Sequence, residues 1–441
     1  MNTKIKSIIV LTSICLVVVV LLVVTNHFTK DKIAANNNKA AFEACFVVMP
    51  DAENFEEVDL SKYTNLPASL KNAYKETSGL GYAYKLEVRG KEAGLVIMVG
   101  IDSNGKITKS TVVSSNETPS YFGGEKEQQY SDKFTGKDST LAGISTISGA
   151  TLSTKAYMDA VMDAFTANAE IAGMTVVKSK EMLIAEILPN TLTVTTLTTT
   201  ANLGTSVKAV YNSDQYDGLV VEVTINEINY YIGLGYNGKI LGFSAASKEE
   251  LSDGFTLDKT ANNSVETELL SVVENIKNQK ETLIFDAIGT SLKTVLGNEN
   301  AELAIYNATF NMPKIEKALE YIPDYEYDIS IKNISAEVQA IYEAAEGYVY
   351  LVKAQGHNGV IVLLVSVNKT GAIIDTKAIL QKETADYTSD VWTNQYEDQY
   401  HGITSLPNDL IHTYATVTST TYSISVRCAL KAYELMTGGN N

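Results

Sequence analysis

Residues 83–113 read AYKLEVRGKEAGLVIMVGIDSNGKITKSTVV, and this stretch decides the fold. Three runs stand in it: Ala83–Val88, Gly94–Ile101 and Ile107–Val113. They are rich in branched residues, and each alternates or is continuously apolar. Glycine-containing turns part them, with Gly105 closing Asp102-Ser103-Asn104-Gly105. Such runs read as neighbouring strands joined by tight connections.

The pattern returns further along the chain. Tyr348–Val352, Val360–Val367 and Ala372–Leu380 repeat the three runs, with turn glycines at Gly238 and Gly371. An apolar residue, Pro and Asp or Asn precede each copy: Met49-Pro50-Asp51, Leu188-Pro189-Asn190 and Ile322-Pro323-Asp324. These prolines lie 139 and 134 residues apart. An apolar-Tyr pair follows in each copy: Ala73-Tyr74, Val210-Tyr211 and Ile341-Tyr342. Twelve residues after each turn glycine stands a glutamate: Glu117, Glu250 and Glu383. A recurring offset marks internal repeats, and a period this long makes them domains rather than solenoid units.

Each copy ends in a helical pattern. After Ser153, small or apolar residues fall at Ala156, Tyr157, Ala160, Val161, Ala164 and Phe165, one face of a helix. Ser264 and Ser425 open similar stretches, and residues 283–320 read as a helical connector. Ser, Thr and Asn ahead of these segments fit N-cap chemistry. Strands followed by helices give an α+β layered architecture.

Upstream, Ile8–Val24 carries no charge and is rich in Val, Leu and Ile, with Lys4 and Lys6 before it and Lys30 and Lys32 after it. It reads as an uncleaved transmembrane anchor with the body outside. The polar residues 29–41 read as a tether. The chain has 441 residues, 45% hydrophobic and 20% charged, a globular composition for several domains. A net charge of -17 argues against nucleic acid as a partner. Three cysteines and four scattered histidines give no disulfide framework and no metal cluster.

The chemistry is concentrated in Ile147-Ser148-Gly149-Ala150-Thr151-Leu152-Ser153-Thr154. Gly149 and Ala150 leave room above the backbone just ahead of a helix. The first amides of a helix point outward and its dipole is positive there, so an anion is favoured. A phosphate esterified to Thr151 would sit in that field.

An ordered set surrounds this loop: Asn116-Glu117-Thr118-Pro119, Tyr121-Phe122-Gly123-Gly124, then Lys133-Phe134-Thr135-Gly136-Lys137. Over roughly residues 73–170 the set resembles the FMN-binding domain of RnfG- and NqrC-type electron-transport subunits. In that family the last Thr of a Ser/Thr-Gly-Ala-Thr motif bears FMN through a phosphoester, installed from FAD by a flavin transferase. The resemblance implies covalent FMN on Thr151, beside Ser148, Gly149 and Ala150, with Glu117 and Thr118 near the flavin. Ser145 stands where the family usually has Asp, and Ser120-Tyr121-Phe122-Gly123 where it prefers Gly-Leu-Gly. The third copy keeps Glu383-Thr384, and its Val417-Thr418-Ser419-Thr420-Thr421 aligns Thr421 with Thr151 as a second site. The second copy has no attachment threonine and reads as a spacer or docking domain.

The expected layout is a cytoplasmic tail 1–7, an anchor 8–26, a tether 27–48, an FMN-binding domain 49–170, a degenerate one 180–280, the connector 283–320 and a second FMN-binding-like domain 321–438. The implied protein is an extracytoplasmic, membrane-anchored electron carrier with no catalytic residue of its own. Its partners are a flavin transferase, membrane redox proteins or quinone-linked donors, and the bilayer through residues 8–26. It serves an extracellular chain or an RnfG-like place in an ion-translocating complex. The competing reading is a non-redox surface scaffold or adhesive protein built from decayed flavin-domain folds.

Overall fold

The computed structural model describes residues 42–147, 149–174, 176–191, 193–318, 333–357, 359–383, 391, 394–405 and 416–438. The chain divides into two compact units, Met1–Ser179 and Lys180–Asn441.

In the first unit, helix α1 spans residues 42–48. It is followed by β1 (Phe55–Glu57), β2 (Leu70–Glu76), β3 (Gly81–Arg89), β4 (Ala93–Asp102), β5 (Ile107–Ser114), α2 (Glu125–Asp132) and α3 (Thr151–Ala172). The strands form one sheet in the order β1-β2-β3-β4-β5, every neighbouring pair antiparallel. Alternation sends successive side chains to opposite faces. Tyr84, Leu86, Ile97 and Val99 pack with Tyr157, Ala160, Val161 and Ala164 of α3. Their neighbours Ala83 and Met98 pack with Cys45, Val48 and Met49 at the end of α1. Both faces are covered, which is why β4 reads as a nearly unbroken apolar run. Thr108 Oγ1 donates to Val48 O at 2.6 Å and pins the end of α1, and Pro50 follows where a helix cannot continue.

The second unit opens with α4 (Lys180–Ile187), β6 (Val194–Thr196), β7 (Val207–Ser213), β8 (Leu219–Ile225), β9 (Ile228–Leu234), β10 (Ile240–Ala245) and α5 (Ser264–Val295). Its first sheet runs β10-β9-β8-β7-β6, so the Thr-rich segment supplies the edge strand β6. Next come β11 (Ala304–Ile305), β12 (Lys314–Ala318), β13 (Asn333–Glu343), β14 (Gly347–Gln355), β15 (Val360–Asn368), β16 (Ile373–Leu380), α6 (Asn394–Asp398) and α7 (Thr416–Thr437). The second sheet of this unit runs β11-β13-β14-β15-β16, with β12 also on β13. The three apolar-Tyr pairs of the sequence fall on β2, β7 and β13.

Helix α5 is one continuous element shared by both sheets of this unit. Asn263 and Asn275 tie it to the loops of the first of them, through Glu250 O and Leu203 O. At its other end Ser366 Oγ of β15 donates to Val295 O at 2.6 Å. Its buried face, from Val265 to Val295, fills one core with β8, β9, β14 and β15. The helical connector expected over 283–320 therefore extends only to Val295. Gly297 takes φ +68° there, Asn298 N bonds back to Lys293 O, and the following residues enter β11 and β12.

The expected fold needs one correction. Three antiparallel sheets with packed helices are present, but among the described residues no helix is long and apolar enough to cross a membrane. The segment 8–26, read from sequence as an N-terminal transmembrane helix, lies outside the described residues. A long apolar run satisfies a hydropathy criterion without fixing a placed helix.

Candidate functional site

The loop 147–150 and the first turn of α3 are fastened from several sides. Ile147 N donates to Thr154 Oγ1 at 3.1 Å, and that hydroxyl donates to Ala150 O at 2.8 Å. Gly149 has φ +82°, a region that suits glycine, and a Cβ built there meets nothing within 4 Å. Ser148 lies outside the described residues.

Helix α3 starts at Thr151, with Ala150 as a cap residue that makes no side-chain cap bond. Among the described residues no side chain accepts from the amides of Thr151, Leu152 and Ser153. Helix α5 differs: Asn263 accepts from Glu266 N at its start, so that end is closed by its own chain. Thr151 is half-buried, and its Oγ1 makes one long contact, 3.4 Å to Ile147 O. Among the described residues, that hydroxyl has no shorter bond.

Glu117 sits behind this turn, buried. Ser153 Oγ donates to its Oε2 at 2.5 Å, and Glu92 N donates to its Oε1 at 3.0 Å. A Cβ at Gly90 would crowd Glu117 Oε1, so a larger residue there would have to push the carboxylate off its donors. The glutamate thus joins the loop after β5, the β3–β4 turn and the start of α3. Thr118 is exposed, and its carbonyl accepts Tyr121 N and Phe122 N. Tyr157 OH lies within hydrogen-bond distance of Ser110 Oγ and Ser131 Oγ, at 2.8 and 2.9 Å. Burial pushes the Tyr157 hydroxyl up to about 12, so it remains a neutral donor.

Beside the loop lies a cleft of about 290 Å³ lined by Tyr121, Lys126, Tyr130, Lys133, Ile147 and Gly149. Lys126 and Lys133 are exposed and two turns apart on one face of α2 and its end. Lys126 Nζ donates to Ser120 O at 2.7 Å, and Lys133 Nζ stands 5.5 Å from the Tyr130 ring centre. Tyr121 is 55% exposed at the mouth, with Lys91 Nζ 5.3 Å from its ring centre. An uncapped helix start, an accessible hydroxyl, two ammonium groups and an aromatic wall fit a phosphate ester with a planar ring attached.

The third sheet repeats the frame. Thr418 Oγ1 donates to Glu383 Oε2 at 2.6 Å, His357 N donates to the same atom at 3.2 Å, and Gly356 faces Glu383 Oε1 as Gly90 faces Glu117. Tyr422 OH pairs with Thr376 Oγ1 at 2.7 Å, as Tyr157 pairs with Ser110. Tyr396 OH donates to Ser419 O at 3.2 Å, as Tyr130 OH does to Thr154 O. These matches set residue 416, the first of α7, opposite Thr151. They set Thr421 opposite Ala156, five residues into its helix. Thr421 is fully buried and its Oγ1 donates to Val417 O at 2.8 Å. Thr384 lies outside the described residues.

The structure therefore brings Thr151, Gly149, Ala150 and Glu117 together, and keeps Thr421 away from a helix start. Sequence reasoning gave no role at the site to Ser153, Ser110, Tyr130, Tyr157, Lys126 or Lys133. A signal for part of this existed: a hydroxyl seven residues before Glu117 and Glu383 (Ser110, Thr376) and a tyrosine thirteen after them (Tyr130, Tyr396).

A family model described as the FMN-binding domain matches residues 90–166. The chain is 31% identical to one component of the Na(+)-translocating ferredoxin:NAD(+) oxidoreductase complex of Acetobacterium woodii, over 31% of this chain and 78% of that protein.

Proposed function

The chain belongs to the FMN-binding domain family of RnfG/NqrC-type electron-transport subunits, and from that premise we propose that it carries FMN covalently on Thr151. It is a flavin electron-transfer protein. The observation that carries the finer reading is the open start of α3: an accessible Thr151 hydroxyl at an uncapped helix end, behind a glycine that leaves the approach clear. In the proposed maturation, a flavin transferase presents FAD. The Thr151 hydroxyl oxygen bonds to the FMN-side phosphorus, the bond to the AMP phosphate breaks, and AMP leaves with the proton. Thr151 is then an attachment point and not a catalytic nucleophile.

Bound FMN supplies one- and two-electron chemistry, taking electrons from a reduced partner and giving them to an oxidised one. The chain's part is to hold it. Helix α3 offers its amides to the phosphate, Glu117 and Ser153 keep that turn in place, and Thr118 lies on the adjoining loop. A covalent bond retains the cofactor where free FMN would be diluted away.

The place of action we propose is the extracytoplasmic face of a membrane, consistent with the sodium-translocating complex to which the relative belongs. The unit Lys180–Asn441 lies beyond the matched residues 90–166, which favours a free-standing carrier in an extracellular electron-transfer chain. Its partners would be redox proteins that meet the first unit.

Protein made together with an active flavin transferase tests this reading. Yellow colour that stays with the chain after denaturation is the expected result. Colourless protein would favour the non-redox scaffold.

A further inference from the structure

The first and third sheets provide an internal control. Where a residue recurs with the same buried contacts in both frames, it serves the fold. Gly90, Glu117, Ser153, Ser110, Tyr130 and Tyr157 all have counterparts in the third sheet with the same contacts. Over residues 121–133, the cleft-lining positions of the two sequences part at the lysines alone. Glu117 and Glu383 lie 266 residues apart, and the same offset carries Tyr121 to Tyr387 and Gln129 to Gln395. It carries Lys126 to Trp392 and Lys133 to Gln399. Both ammonium groups are thus absent from the matching sequence positions of the third copy.

Neither lysine has a structural task that would explain it. Both side chains are exposed, so neither fills a core. Their contacts, a bond to Ser120 O and an approach to the Tyr130 ring, are surface contacts worth little to stability. They stand together at a cleft that includes Gly149 of the attachment loop. The acidic side chains of the same helix, Glu125, Glu127 and Asp132, are not among the residues that line the cleft, whereas both ammonium groups are.

We propose that this cleft seats the isoalloxazine ring of the FMN held on Thr151, and that Lys126 and Lys133 set its reduction potential. The proposal rests on the reading of Thr151 as the attachment site. Reduction adds negative charge to a flavin ring, and a positive charge near it favours the reduced form. Tyr121, half-exposed at the mouth, offers an aromatic face against which the ring lies. The lysines are tuning residues: they touch the cofactor and take no part in its attachment.

The test uses the full chain loaded with FMN, as parent, K126Q, K133Q, the double variant, and K75Q as a control that removes an exposed lysine from β2. Midpoint potential is measured on the loaded protein, so partial loading does not disturb the value. The double variant is expected to fall by about 30 mV or more, a tenfold change in the two-electron equilibrium. K75Q should match the parent. In the parent, added salt should lower the potential toward that of the double variant, since exposed charges are screened. Tyr121→Leu should raise flavin emission by removing an adjacent aromatic ring. A double variant with the potential of K75Q, its FMN still on Thr151, would overturn the proposal while leaving the attachment site standing. A bare Thr151 in the parent would sink the attachment reading itself, and the cleft assignment with it.

Discussion

Glu117 accepts the Ser153 hydroxyl through Oε2, and this bond ties the loop after β5 to the first turn of the helix that begins at Thr151. Glu383 and Thr418 do the same in the third sheet. The contact is buried and its acceptor is a carboxylate, so leaving that oxygen unpaired is costly. Ser153→Ala should lower the unfolding free energy of the first unit by about 1–3 kcal/mol. Gly90→Ala should act in the same direction, because its Cβ would stand 2.4 Å from Glu117 Oε1. Urea unfolding measures both. A loss under about 0.5 kcal/mol, the size of an ordinary surface substitution, would show that the contact does not anchor the turn.

The stability of the first sheet should carry an acid signature from Glu76. Burial alone would raise its carboxyl, but donation from Leu80 N, Ser78 Oγ, Ser78 N and Glu53 N outweighs burial and brings it to about 2. The folded value lies below the unfolded one of about 4.3. Its stabilisation is therefore whole above the unfolded value and is lost as pH falls toward 2. Melting temperature should decline across that window in the parent and decline less in Glu76→Gln, which starts lower at neutral pH. Parallel curves would contradict the assignment.

Much of the frame was legible because it is local. Alternation, turn glycines and the recurring glutamate are short-range marks, and they found the strands around Gly105 and Gly371. Registers that depend on tertiary partners were not legible. The run Thr416-Val417-Thr418-Ser419-Thr420-Thr421 offers five hydroxyls. Only the pairing of Thr418 with Glu383 and of Tyr422 with Thr376 says which of them matches Ser153. Ser425 read as a helix opener, yet it lies inside α7 and donates to Thr421 O. The boundary expected between residues 280 and 283 falls inside α5, which runs unbroken with its two ends held by different sheets. The lysine pair was missed because α2 is short and polar, and nothing in its own sequence sets it beside Gly149.

Thr421 makes a separate prediction. Its hydroxyl is spent on Val417 O and Gln355 O inside a packed helix. Thr421→Val should leave the flavin content unchanged while costing about 1 kcal/mol of stability in the second unit. Flavin absorbance per chain and thermal melting read the two effects. Loss of flavin from this variant would contradict the buried placement.

Gly149→Val should impair loading. Its φ of +82° strains a branched residue by roughly 1–2 kcal/mol, and the new side chain would occupy the open approach to Thr151. The expected outcome is a folded protein with a reduced fraction of flavin after the same exposure to transferase. Loading equal to the parent would show that the approach lies elsewhere.

Peptide mapping by mass spectrometry of chain matured with an active flavin transferase tests the central claim most directly. The account predicts an FMN-sized increment on the peptide that contains residue 151, and its disappearance in Thr151→Ala. An unmodified peptide in fully matured protein, or an increment that persists in Thr151→Ala, would contradict it.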